Sequence, residues 1–89
     1  MNKWVRNACV VFSLASMTAL AAPECTKEPK EKWMAAKDLK AKLEAQGYKI
    51  KRFEVLSSCY EIYGRNKDGK KVEIYFNPVD GSIVKQRGG

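Results

Sequence analysis

Cys59–Val84 reads CYEIYGRNKDGKKVEIYFNPVDGSIV, and the alternation within it decides the fold. Tyr60 and Ile62 alternate with Glu61 and Tyr63; Val72, Ile74 and Phe76 alternate with Glu73 and Tyr75. A period of two in β-branched and aromatic residues is the pattern of a half-buried antiparallel strand. Between the two runs, Asn66-Lys67-Asp68-Gly69-Lys70 supplies the polar and glycine residues of a tight reversal. Asn77-Pro78 and Asp80-Gly81 reverse the chain again ahead of a short final strand or extension at Ile83-Val84. Tyr60, Ile62, Val72, Ile74 and Phe76 then face a core, and Glu61, Tyr63, Glu73 and Tyr75 face outward.

Working back toward the N-terminus, Tyr48–Val55 (YKIKRFEV) is the first strand. Tyr48 and Ile50 share one parity, Phe53 and Val55 the other. Either a bulge near Lys51-Arg52 brings both pairs to the core face, or the strand ends at Arg52. Glu31–Gln46 is rich in good helix formers and stops at Gly47. Trp33, Ala36, Leu39 (or Lys40) and Leu43 mark one apolar stripe on an amphipathic helix of about 14 residues. Such a helix needs a surface to cover, and the sheet provides it. The expected fold is α+β: one amphipathic helix on a three-stranded antiparallel sheet with a short final strand or extension.

The first residues have the form of an export signal. Lys3 and Arg6 precede an apolar run, Ala8–Leu20, and Ala19-Leu20-Ala21 has the small-x-small form of a cleavage site. The run is shorter than the ~20 residues of a spanning helix, so cleavage after Ala21 is favoured over a membrane anchor. Cys25 follows Pro23-Glu24, which is not a lipoprotein signal. The expected organisation is therefore a cleaved signal at 1–21, an irregular arm at 22–30 and a domain at 31–89.

Export changes the cysteine and charge counts. Cys9 leaves with the signal, and Cys25 and Cys59 remain as a pair in a compartment where disulfides persist. A mature chain this small buries a modest core, so a Cys25–Cys59 staple has a physical purpose. The 17 Lys and Arg, less Lys3 and Arg6, stand against 10 acids and leave a mature charge of +5. Lys49, Lys51, Arg52, Lys70 and Lys71 form the basic surface, with Glu54, Glu61, Asp68 and Glu73 interspersed. That spacing, together with export, argues against nucleic acid as a partner.

Catalytic readings lack their parts. The chain has no histidine, hence no ordinary general base and no nucleophile–histidine pair. Two thiolates without histidine do not complete a zinc site, and turn chemistry accounts for Asp68-Gly69 and Asp80-Gly81 better than calcium binding does. Glu61 and Glu73 fall on an open face, where carboxylates keep ordinary pKa values. No enzyme activity and no cofactor is expected.

Tyr60-Glu61-Ile62-Tyr63, the Asp68-Gly69 turn, Val72–Phe76 and Asn77–Val84 resemble the closing hairpin and final turn of a PepSY domain. In that family the last strand leads into an Asp-Pro-x-Thr-Gly-Glu-Val segment. This chain departs at Asn77 and at Asp80-Gly81-Ser82, and both departures keep turn formers. The helix end Leu43–Tyr48 and the Cys25/Cys59 pair match the small, exported, single-domain branch, and the resemblance covers about residues 25–86.

The resemblance implies a module without catalytic residues. PepSY domains occur in propeptides of thermolysin-like metallopeptidases and are proposed to restrain peptidase activity. The function expected from it is an exported protein-binding module, periplasmic or secreted in a bacterial envelope, that restrains or modulates a peptidase. Glu61, Tyr63, Glu73 and Tyr75 are its expected partner-binding face. The alternative is an envelope accessory or sensor component whose basic surface meets anionic partners or lipid. In neither case does the mature chain span the membrane.

Overall fold

The computed structural model describes residues 21–89. The expected export signal therefore lies, but for Ala21, outside the described residues. A 3-10 turn, Lys30–Lys32, precedes helix α1 (Ala36–Ala45). Four strands follow: β1 (Lys49–Val55), β2 (Tyr60–Arg65), β3 (Lys71–Phe76) and β4 (Ile83–Gly88). They form one antiparallel meander in the order β1-β2-β3-β4.

The sheet is one full strand wider than expected. β4 pairs with β3 from Phe76↔Ile83 to Val72↔Gly88, with an irregularity where Phe76 and Tyr75 meet Ile83 and Lys85. Every residue of β4 is exposed, so Ile-Val-Lys-Gln-Arg-Gly carries no apolar alternation. Backbone pairing and the Arg87–Glu73 ion pair hold it in place.

The helix is shorter than expected, and its start has a cause. The Met34 amide donates to the Pro78 carbonyl at 2.9 Å, and the Tyr60 hydroxyl donates to the Met34 carbonyl at 2.7 Å. Both bonds hold the segment ahead of the helix in extended backbone on the sheet, with Ala35 as an N-cap lacking a side-chain bond. The C-terminus follows the expected stop. Gly47 takes φ 98°, its amide bonds the Glu44 carbonyl, and the Tyr48 amide reaches back to Leu43, which is the Schellman arrangement.

Leu39 and Leu43 meet Tyr60, Ile62, Val72, Ile74 and Phe76 in the main core, flanked by Trp33, Met34, Ala36, Tyr48, Ile50 and Phe53. The first strand resolves its two open readings in favour of the bulge. Ile50 faces Gly64, Arg52 faces Tyr63, and Lys51 is the additional residue between them. Gly64 sits where β1 bends in, and a Cβ there would lie 2.1 Å from the Lys49 carbonyl oxygen. Val55 departs from expectation. At the far end of an edge strand it is 54 % exposed.

The β2–β3 and β3–β4 turns are both organised by asparagine. Asn66 Oδ1 accepts the amides of Asp68 and Lys70, and Asn77 Oδ1 accepts that of Val79. Gly69 (φ 82°) and Gly81 (φ 77°) supply the left-handed positions.

On the opposite face of the sheet, Cys25 and Cys59 are joined, with Cα atoms 5.2 Å apart. The Cys25 amide donates to Ser58 Oγ at 3.1 Å, and the disulfide packs with Tyr75 and Leu56 as a second, smaller core. The N-terminal arm is thus tied to the outer side of the sheet, away from α1.

Candidate functional site: the outer face of the sheet

Register across four strands places the outer-face residues in rows. One row runs Glu54, Glu61, Tyr75, Lys85; the next runs Arg52, Tyr63, Glu73, Arg87; the last brings Lys49, Arg65 and Lys71 together. Glu61, Tyr63, Glu73 and Tyr75 therefore meet at the centre of one face, as the alternation predicts. Diagonal neighbours on a sheet lie within reach of long side chains, so the two carboxylates and two phenols form one cluster.

Their exposure differs from the expectation of an open face. Glu61 is 3 % exposed, Glu73 8 % and Tyr75 4 %; only Tyr63 of the four is left half-exposed. Tyr75 is covered by the disulfide and Leu56. Its hydroxyl donates to Glu73 Oε2 at 3.1 Å, while Arg87 Nη2 holds Glu73 Oε1 at 3.0 Å. Glu73 is thus a carboxylate with partners on both oxygens. Glu61 is not, since its Oε2 is buried with no hydrogen-bond partner.

The ordinary pKa values expected for these carboxylates do not hold. Burial, and then hydrogen bonding toward Glu73, push the Glu61 carboxyl up. Glu73 is held down, first by the hydrogen bond from Glu61 and also by Tyr75, Tyr63 and Arg87. The two shifts run in opposite directions, so Glu61 is the carboxyl of the pair that keeps its proton to the higher pH. Burial and the adjacent carboxylates push the Tyr63 phenol up to about 12, and Tyr75 further still. Both tyrosines remain neutral hydrogen-bond donors.

The signs of the two carboxylates are opposite. A raised Glu61 contributes stability below the ordinary carboxylate value and loses it as pH rises through its folded-state pKa. A depressed Glu73 contributes stability above that value and loses it as pH falls through its own folded-state pKa. Glu61→Gln keeps the shape of the protonated acid and cannot ionise. We expect it to raise the melting temperature at pH 7.5 and to leave it nearly unchanged at pH 4. Melting curves from pH 4 to 8 check this. A variant less stable than wild type at pH 7.5 contradicts the upward shift of Glu61.

The basic residues divide. Lys49, Lys51 and Lys71 line a groove of ≈ 690 Å³ at the Lys49/Arg65/Lys71 end of the sheet. Arg52 lies outside it, its guanidinium 4.4 Å from the Tyr63 ring centre and 2.9 Å from Glu54. Lys70 sits in the β2–β3 turn and does not line the groove. The groove gains two cations that sequence reasoning passed over, Arg65 and Arg87. Arg65 ends a strand whose outward parity was already assigned. Arg87 stands opposite Glu73 only once β4 is a strand.

Among the described residues, no group of three or more His, Cys, Asp and Glu side chains is placed to hold a metal. No helix there is long and apolar enough to cross a membrane. A family model described as the peptidase propeptide and YPEB domain matches residues 7–87. No curated protein and no solved structure gives a significant match.

Proposed function

Because the chain belongs to the peptidase propeptide and YPEB domain family, we propose that it is an exported, non-catalytic protein-binding module that restrains or modulates a peptidase. Residues 1–21 are its cleaved signal, and the mature domain works in the periplasm or outside the cell, where the Cys25–Cys59 bridge persists. The observation that carries the reading is the family match across nearly the whole chain. Family members are generally regulatory modules, and the buried Glu73 carboxylate is held by Tyr75 and Arg87.

Contact with the partner is made on the outer face. Glu61, Glu73 and Tyr75 form its buried foundation, and Tyr63 under Arg52 is its exposed part. Tyrosine and arginine are enriched where protein surfaces meet. Affinity capture on the oxidised mature domain tests this, with Arg52→Ala/Tyr63→Ala as the control bait. The expected result is a peptidase retained by the wild type and lost by the variant. Equal retention on both baits removes this face as the docking site.

A further inference from the structure

We propose that the groove at the Lys49/Arg65/Lys71 end of the sheet is a receptor site for an extended acidic segment of a protein partner. This rests on the protein-binding reading above and specifies the chemistry that the partner presents.

All four strands contribute to the groove. Lys49 and Lys51 come from β1, Arg65 from β2, Lys71 from β3 and Arg87 from β4. Glu73 is the only acid among the lining residues, and it is already held by Arg87 and the Tyr75 hydroxyl. Arg65 donates to the Gly69 carbonyl at 2.9 Å, which fixes its side chain without neutralising it. Lys49, Lys51 and Lys71 make no ion pair among the described residues. The groove therefore presents a strong positive field with no internal counter-charge beyond one satisfied carboxylate.

Its dimensions suit an extended chain. Crossing four strands takes about 14 Å at the usual spacing between strands, which an extended peptide covers in four or five residues. Gly64 and Gly88 lie among the lining residues and raise no side chain there. Tyr63 also lines the groove and brings an aromatic ring beside the cations. Carboxylates spaced along such a peptide meet a lysine or arginine at each strand crossed.

A membrane is the other anionic partner to weigh, and the distribution of apolar surface argues against it. Interfacial binding combines cations with apolar side chains that enter the headgroup boundary. Among the described residues, the exposed large apolar ones, Val55, Ile83 and Val84, lie at the opposite end of the sheet, in or beside the row Val55–Tyr60–Phe76–Ile83. Cations and apolar groups thus point to separate surroundings.

The test uses a fluorescein-labelled peptide of alternating Glu and Ala, and a Gln/Ala peptide of equal length, in anisotropy titrations of the oxidised mature domain. Lys49→Glu/Lys71→Glu reverses two groove charges. Lys27→Glu/Lys32→Glu makes the same change in net charge on the N-terminal segment. The expected result is saturable binding of the acidic peptide alone, weakened at least tenfold by the groove variant and little by the control. Equal binding of both peptides, or equal loss in both variants, overturns the proposal. Flotation with phosphatidylglycerol vesicles that is abolished only by the groove variant, without acidic-peptide binding, assigns the groove to lipid and also overturns it. A captured peptidase that stays bound to the groove variant leaves the module reading standing and removes only the groove.

Discussion

Replacing Cys25 and Cys59 together by alanine should lower the stability of the mature domain by about 4 kcal/mol. That is the chain-entropy estimate for a loop of about 35 residues. For a domain of this size it corresponds to a fall of roughly 15–30 °C in melting temperature. The bridge is more than a tether for the arm. It covers Tyr75, which in turn holds Glu73, so its loss should also open the carboxylate cluster to water. Thermal unfolding followed by circular dichroism, with and without reductant, checks the value. A shift below about 5 °C would mean that the arm contributes little to the fold.

The two outer-face tyrosines should behave very differently. Tyr75→Ala removes a buried ring from the disulfide core together with a hydroxyl bonded to Glu73, and large-aromatic truncations of this kind cost about 3–5 kcal/mol. Tyr63→Ala removes a half-exposed ring beneath Arg52 and should cost under about 1 kcal/mol. Urea unfolding of each single variant separates them. Equal midpoints would contradict the division of this face into a buried foundation and an exposed contact residue. The same contrast makes Tyr63, and not Tyr75, the residue through which docking is probed.

The difference between these tyrosines marks where the sequence ceases to be legible. Alternation in β2 and β3 placed both on one face correctly, because parity is a local property of a strand. The bulge at Lys51 was one of two readings that the parity of Tyr48, Ile50, Phe53 and Val55 left open, and pairing with β2 decides for it although Val55 stays exposed. What covers a face is not local. Tyr75 is buried by Cys25, Cys59 and Leu56, which come from the arm and from the β1–β2 connection, and nothing in Val-Glu-Ile-Tyr-Phe announces them. The shifted carboxylates follow from that burial and were missed with it. β4 was underestimated because pairing along the backbone leaves no mark on side-chain polarity. The basic groove was half legible, in Lys49, Lys51 and Lys71. Arg65 and Arg87 join them only through register.

The account thus gives the two faces of the sheet separate tasks. The inner face builds the fold with Leu39 and Leu43. The outer face buries a carboxylate–phenol cluster at its centre, and the proposed docking surface is what remains exposed beside it, Arg52, Tyr63 and the basic groove.

The most direct measurement of the proposed role is the hydrolysis rate of a peptidase captured on the wild-type domain as oxidised mature domain is added. The account predicts a saturable fall in rate with the wild-type domain and a much weaker effect from Arg52→Ala/Tyr63→Ala at equal concentration. A rate unchanged by the wild-type domain at saturation, or slowed equally by both proteins, would contradict it.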